Sequence, residues 1–375
     1  MTAATRPIAY YVSAHGFGHG VRSCDILRAL RHHCPDRPLH IVSGLGAGFF
    51  QTRLGAVLTP ADHLRQAAFD VGVVQPDAIR TDVEATRREV LALCAGAEDR
   101  IRAEQEYLGR QGIAAVVADI PGIPLAAARR AGIPAIAVGN FSWDWIYAPF
   151  LEGDPRWLPA LEHFRACYAE ADLLLQLPFP CDMSAFRRIE TIPLLATPGT
   201  ARRAELAERT GAALDCSWVL LSFVSLRWEA GAMERLLSLP GHEFFVVQPF
   251  DWPGTGFHVI DPRQVPFVDV LASVDVVVSK PGFGIVSECI ANDKPLLYAD
   301  RADFREYPVL VEAIRRYLRQ AHIPAERLCA GDLADALARL AQQPPPPETL
   351  ATGGAEVAAR RISELADFPE RLNLL

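Results

Sequence analysis

Two histidines stand four residues apart in the glycine-rich run Ser13-Ala14-His15-Gly16-Phe17-Gly18-His19-Gly20. An imidazole changes charge near neutral pH, so His15 and His19 are candidates for taking or holding a proton. Gly16, Gly18 and Gly20 bring backbone close to any bound molecule, and the N-terminus of a following helix favours an anion. Asp119 closes the apolar run Val116-Val117-Ala118. Two readings of it stay open: a partner that orients His19 and stabilises its protonated form, or the cap of a helix beginning near Pro124. Further on, Asn140-Phe141-Ser142-Trp143-Asp144 sets aromatic faces beside an amide and a carboxylate. Such a set holds a hydroxylated ring, with Trp143 covering C–H bonds while Asn140 and Asp144 bond hydroxyls. Packing under a loop accounts equally well for Phe141 and Ile146.

The fullest pattern is Ser279-Lys280-Pro281-Gly282-Phe283-Gly284-Ile285-Val286-Ser287-Glu288, where the apolar run Val276–Val278 opens into a glycine loop and then a helix. Free N–H groups at that helix start, with Lys280 beside them, suit a diphosphate, and Glu288 one turn in suits a ribose diol. No GxxxxGK[ST] occurs, which excludes a Walker loop, and the first glycine run is not GxGxxG. The second strand ends in Ser43-Gly44 without the acid that grips a ribose, so a nicotinamide enzyme is disfavoured. No zinc-ligand spacing and no D-x-D triplet occur, so no metal is expected.

These loops must sit on elements. Apolar runs at Ile8–Ser13, Leu39–Ser43, Ala114–Ala118, Pro134–Gly139 and Asp172–Gln176 alternate with helical patterns such as Val21–His32 and Pro124–Ala131. A second series runs through Ser217–Val224, Glu243–Gln248, Val274–Ser279 and Pro295–Ala299. The alternation predicts α/β architecture with parallel sheets. The 375 residues suit two domains. Expected are a domain over 1–195, a linker over 196–210 carrying Pro198 and Gly199, a domain over 211–343, and a spacer with a final helix over 344–375. That helix is read over Glu348–Leu365, after the stiff run Pro344–Pro347. A ligand is expected in the cleft between two such domains.

Composition narrows the class. A formal charge of −8 argues against non-specific binding of nucleic acid. Eight scattered cysteines suggest reduced thiols, and neither a signal peptide nor a membrane-spanning run is evident, so the cytoplasm is the expected compartment. Only Lys280 and Lys294 are lysines among 37 basic residues. Lys280 stands at the proposed diphosphate loop, whereas Lys294, in a turn before the next strand, is expected to serve only the surface.

The blocks Ala9–Arg22, Asp70–Asp82, Gly139–Ala148 and Ser279–Glu288 together resemble GT-B glycosyltransferases, most nearly the glycosyltransferase-like N-terminal part of L-arabinokinases. No kinase Gly-Ser loop is visible, so kinase activity is not carried over. The resemblance implies two Rossmann-like domains, with the last helix crossing back to the first. It implies His19 as general base on the acceptor and Asp119 as its carboxylate partner. His15, Gly16, Phe17, Gly18, Asn140, Trp143 and Asp144 would line the acceptor side. Lys280, Gly282, Phe283, Gly284, Ser287 and Glu288 would hold the donor. Val265, in the stretch that reads the base, and Arg305 and Glu306, which contact the donor sugar, would join them. One departure stands out: where these proteins have a glycine-rich turn, this chain has Ser222-Phe223-Val224-Ser225-Leu226, leaving Ser225 to offer a hydroxyl.

The expected function is that of an inverting, metal-independent glycosyltransferase. It would take a nucleoside diphosphate sugar, UDP-linked, as co-substrate, with no other cofactor. The alternatives are a GT-B epimerase or hydrolase of sugar nucleotides, and a non-enzymatic sugar-nucleotide-binding module or partner of a separate sugar kinase.

Overall fold

The computed structural model describes residues 5–74, 81–300 and 304–370. They divide into two units, one of residues 5–74, 82–195 and 353–370 and one of residues 81, 196–300 and 304–352.

In the first unit the strands are β1 (Ile8–Val12), β2 (Leu39–Ser43), β3 (His63–Gln66), β4 (Ala115–Asp119), β5 (Ala135–Gly139), β6 (Leu173–Gln176) and β7 (Ile189–Thr191). They form a parallel sheet in the order β3-β2-β1-β4-β5-β6-β7. β1, β2, β4 and β5 are buried from end to end, which is why they read as apolar runs without alternation. The chain order reverses between β1 and β4, and in open parallel sheets that switch point, at the C-terminal strand ends, is where ligands bind. His19, in the first turn of the helix after β1, and Asp119, the last residue of β4, stand at this switch point.

The second unit holds β8 (Ser217–Ser222), β9 (His242–Val247), β10 (His258–Ile260), β11 (Val276–Ser279), β12 (Leu296–Ala299) and β13 (Gln320–Ile323). Their order, β10-β9-β8-β11-β12-β13, is also parallel and has its switch point between β8 and β11. The loops there carry Ser225 and Lys280–Gly282, the latter running into the helix Phe283–Ala291.

The first helix runs over Phe17–His33, so it begins before the expected Val21 and takes up the second half of the glycine run. Gly16 makes this start possible: its φ of 78° lies where a side chain would be strained. Ser23, Cys24, Ile26, Leu27 and Leu30 form the buried stripe of this helix. The last helix, Gly354–Asp367, buries Ala355, Ala358, Ala359, Ile362 and Leu365 at helical spacing and packs on the first helix. Cys34 Sγ lies 2.8 Å from Ser363 Oγ, Arg37 pairs with Asp367, and Gly354 N–H donates to Leu194 O. Its start is six residues later than the sequence pattern implied.

Residues 196–210 are tied to the second unit. Gly199 N–H donates to Asn292, Thr200 N–H to Asp269, and the chain enters helix Arg203–Thr210. Lys294 has more than a surface role: it is half-buried and its ammonium donates to Val274 O at 2.9 Å, with burial pushing its pKa down.

Candidate functional site

The first unit brings its predicted pair together. His19 lies in the first turn of helix Phe17–His33, and Asp119 is the last residue of the neighbouring strand β4. His19 Nδ1 is 2.8 Å from Asp119 Oδ1, with the imidazole 6% exposed and the carboxylate fully buried. The capping reading of Asp119 fails, because the helix Ile123–Ala131 has Gly122 as its N-cap and no side-chain cap bond.

Two residues that the sequence reading did not assign complete the cluster. Arg22 Nε donates to Asp119 Oδ2 at 2.7 Å and Nη2 to Oδ1 at 2.5 Å, a bidentate fork. Its Nη1 donates to Asn140 Oδ1 at 2.9 Å, and Nη2 is also 3.1 Å from His19 Nδ1. Ser23 Oγ donates to Asp119 Oδ2 at 3.0 Å. Burial alone would raise the Asp119 pKa, but the charges and hydrogen bonds of Arg22 and His19 overrule it and hold the carboxyl well below its usual range. The signal for Arg22 was its spacing, since residues i and i+3 share a helix face.

Around this cluster the predicted acceptor residues separate. Phe17 is 51% exposed and stacks on Phe49 with ring centroids 5.7 Å apart. Asn140 is buried and its carbonyl oxygen serves Arg22. Trp143 offers no face to a sugar: it is fully buried, stacked on Tyr147, met edge-on by His15 and Phe141, and donates from Nε1 to Asp70 Oδ2 at 2.9 Å. The expectation of a ring-stacking tryptophan is corrected accordingly; Trp143 is a wall behind the histidines. Phe141 and Ile146 are buried with it. Asp144 is buried too, with Arg165 3.3 Å from Oδ2 and no partner on Oδ1.

Asp70 belongs to a segment that the sequence reading quoted without assigning a role. Burial raises its pKa in spite of hydrogen bonds from Trp143 and Ser13. Tyr147 Oη donates to Gly72 O, and Val73 N–H reaches His15 Nδ1 at 3.3 Å, so this strand-end segment cradles His15. Gly72 has φ of 72°, and a Cβ there would lie 2.3 Å from His15 Nδ1. Gly72→Ala is expected to cost about 1–3 kcal/mol of stability. Chemical denaturation measures it, and an unchanged midpoint would mean that the His15 contact is loose. Residues 75–80 of this block lie outside the described residues.

In the second unit Ser279 Oγ donates to Ser222 O at 2.9 Å, pinning the ends of β11 and β8 together at the switch point. Lys280 follows, half-buried, and then helix Phe283–Ala291 starts at Gly282 without a side-chain cap bond. A Cβ at Gly282 or Gly284 would meet nothing within 4 Å, so packing does not require either glycine. Phe283 and Ser287 are buried, and Ser287 Oγ has no partner. Glu288 is half-buried, one turn along. Ser225 sits in a bend just past β8, partly exposed, and Val265 is buried. Arg305 and Glu306 lie after β12, where Glu306 is buried and starts the helix Tyr307–Tyr317. Among the described residues no three His, Cys, Asp or Glu side chains are grouped to hold a metal, and no helix is long and apolar enough to cross a membrane.

Comparison with known proteins places this geometry. The chain is homologous to the L-arabinokinase of Arabidopsis thaliana, 28% identical over 370 residues, which is 96% of this chain and 34% of that protein. It thus spans about a third of the length of that relative. No family model matches. Among solved structures, the glycotransferase of kitacinnamycin aligns with a TM-score of 0.63 at 18% identity, covering 98% of this chain and 99% of that one. UGT89C1 of Arabidopsis thaliana, solved with UDP, aligns with a TM-score of 0.61 at 14% identity, covering 96% and 99%. The spinosyn rhamnosyltransferase SpnG aligns at 0.57 and 13%, covering 98% and 100%. The fold is GT-B.

Proposed function

We infer that the chain is an inverting glycosyltransferase that moves a sugar from a nucleoside diphosphate, UDP by preference, to an acceptor hydroxyl. The observation that carries this reading is the 2.8 Å approach of His19 Nδ1 to Asp119 Oδ1 at the switch point of the first sheet. With Nδ1–H donating a hydrogen bond to Asp119, the neutral ring keeps a lone pair on Nε2 to accept the acceptor's proton. The freed oxygen attacks the anomeric carbon from the face opposite the diphosphate, the glycosidic bond to phosphate breaks, and configuration inverts. Asp119 then stabilises the imidazolium.

On the donor side, Lys280 and the N–H groups at the start of helix Phe283–Ala291 meet the negative charge that grows on the leaving diphosphate. The open space at Gly282 and Gly284 supports this role, since neither the fold's packing nor a positive φ explains these glycines. Gly284→Ala is therefore expected to leave the thermal midpoint unchanged while weakening UDP binding about tenfold, the loss of roughly 1.4 kcal/mol. Titration calorimetry with UDP checks it, and equal affinity in the variant would remove the loop from the donor site.

The reading as a whole is tested by incubating the protein with UDP-sugars and a panel of hydroxylated acceptors. Release of UDP coupled to a glycoside of inverted configuration is expected. Release with free sugar alone would assign a hydrolase, and no thermal stabilisation by UDP, GDP, dTDP or CDP would overturn the donor assignment.

A further inference from the structure

We propose that Arg22 is a positioning residue that sets which nitrogen of His19 carries the proton. The proposal rests on the reading of His19 as a base, but its test does not.

His19 Nδ1 has two neighbours of opposite demand. Asp119 Oδ1 at 2.8 Å accepts a hydrogen bond from Nδ1–H, whereas Arg22 Nη2–H at 3.1 Å donates one to a bare Nδ1. If Nδ1 accepts from Arg22, the remaining proton sits on Nε2 and the ring has no lone pair there. If Nδ1–H donates to Asp119, Nε2 is free to act as base. The choice depends on how strongly Asp119 engages the guanidinium. Nε and Nη2 reach both carboxylate oxygens, at 2.7 and 2.5 Å, and Nη1 is drawn to Asn140 Oδ1 at 2.9 Å. A guanidinium so committed has its donors turned to oxygen and leaves Nδ1 to give its proton to Oδ1.

The fork also keeps the acceptor charged. Asp119 is wholly buried, and burial by itself pushes the carboxyl towards its neutral form. The groups around it on every side are His19, Arg22 and Ser23 from the first helix, Tyr10 from β1, and Asp70 from the segment after β3. Tyr10 and Asp70 are neutral or negative in every protonation state, so neither supplies a compensating positive charge, and burial favours the neutral form of both. Arg22 is the permanent cation of the set. A neutral Asp119 would donate a proton to the ring instead of accepting one.

Histidine nitrogen shifts and the carboxyl carbon shift of Asp119 report both quantities without any sugar nucleotide. In the intact protein the neutral ring is expected to carry its proton on Nδ1 with Nε2 bare, facing an ionised Asp119. In Arg22→Gln the carboxyl is expected to titrate about one to three units higher, and the His19 tautomer to change. Arg22→Lys keeps the charge, and so the fold, but covers one carboxylate oxygen where the fork covered two. It is expected to keep Asp119 ionised while leaving a mixture of tautomers. A His19 ring locked as in the intact protein in Arg22→Lys, or unaltered signals in Arg22→Gln, overturns the proposal. If the tautomer changes as expected but the intact protein turns over no nucleotide sugar, the functional reading fails and the role of Arg22 stands.

Discussion

His19→Ala is expected to slow sugar transfer by about two to four orders of magnitude, the usual contribution of a positioned general base. Donor affinity should remain that of the intact protein, because every proposed donor contact lies in the second unit. The variant should also fold, since Arg22 and Ser23 still donate three hydrogen bonds to the buried Asp119. The measurement is UDP release at saturating donor and acceptor, set beside UDP affinity. A rate within a few-fold of the intact protein would show that the acceptor loses its proton elsewhere, and it would leave the His19–Asp119 contact as a structural bond.

The second large effect falls on stability. Asp119→Ala takes the carboxylate away from a guanidinium that is itself 5% exposed, and breaking a buried ion pair from one side costs about 3–5 kcal/mol. Asp119→Asn keeps the shape and one acceptor, so its loss should be smaller. The pH dependence has a definite sign. A carboxyl held below its unfolded value of about 3.9 contributes stability that is fully present above that pH. The contribution drains away as pH falls below it, towards the folded-state value. Urea unfolding of the intact protein should therefore show a midpoint that declines below about pH 4, and Asp119→Asn should lack that share of the decline. Parallel pH profiles would mean that Asp119 does not carry the charge assigned to it.

The interior strands were legible because β1, β2, β4, β5, β8 and β11 are covered on both faces and appear as short apolar runs. The strands that sequence reading passed over are β3, β7, β10 and β13, and all four are sheet edges. An edge strand pairs on one side only, so little selects for an apolar run; His63-Leu64-Arg65-Gln66 and Ile189-Glu190-Thr191 are mixed and largely exposed. The site divides along a similar line. His19 and Asp119 were visible because each closes or follows a recognisable strand. Trp143 misled because an aromatic next to Asp144 looks the same in sequence whether its face meets a ligand or Tyr147. Arg22 was hidden by composition: with 35 arginines among the 37 basic residues, no single one stands out until its hydrogen bonds are seen.

The return of helix Gly354–Asp367 to the first helix also has a consequence for how the molecule is made. The groove that it fills is built from residues before 196, yet the 157 residues from 196 to 352 must emerge in between. At a synthesis rate of roughly 5–20 residues per second, that interval lasts about eight to thirty seconds. During it the first helix lacks the helix that packs on it, and the earlier-born part of this unit waits with that face uncovered.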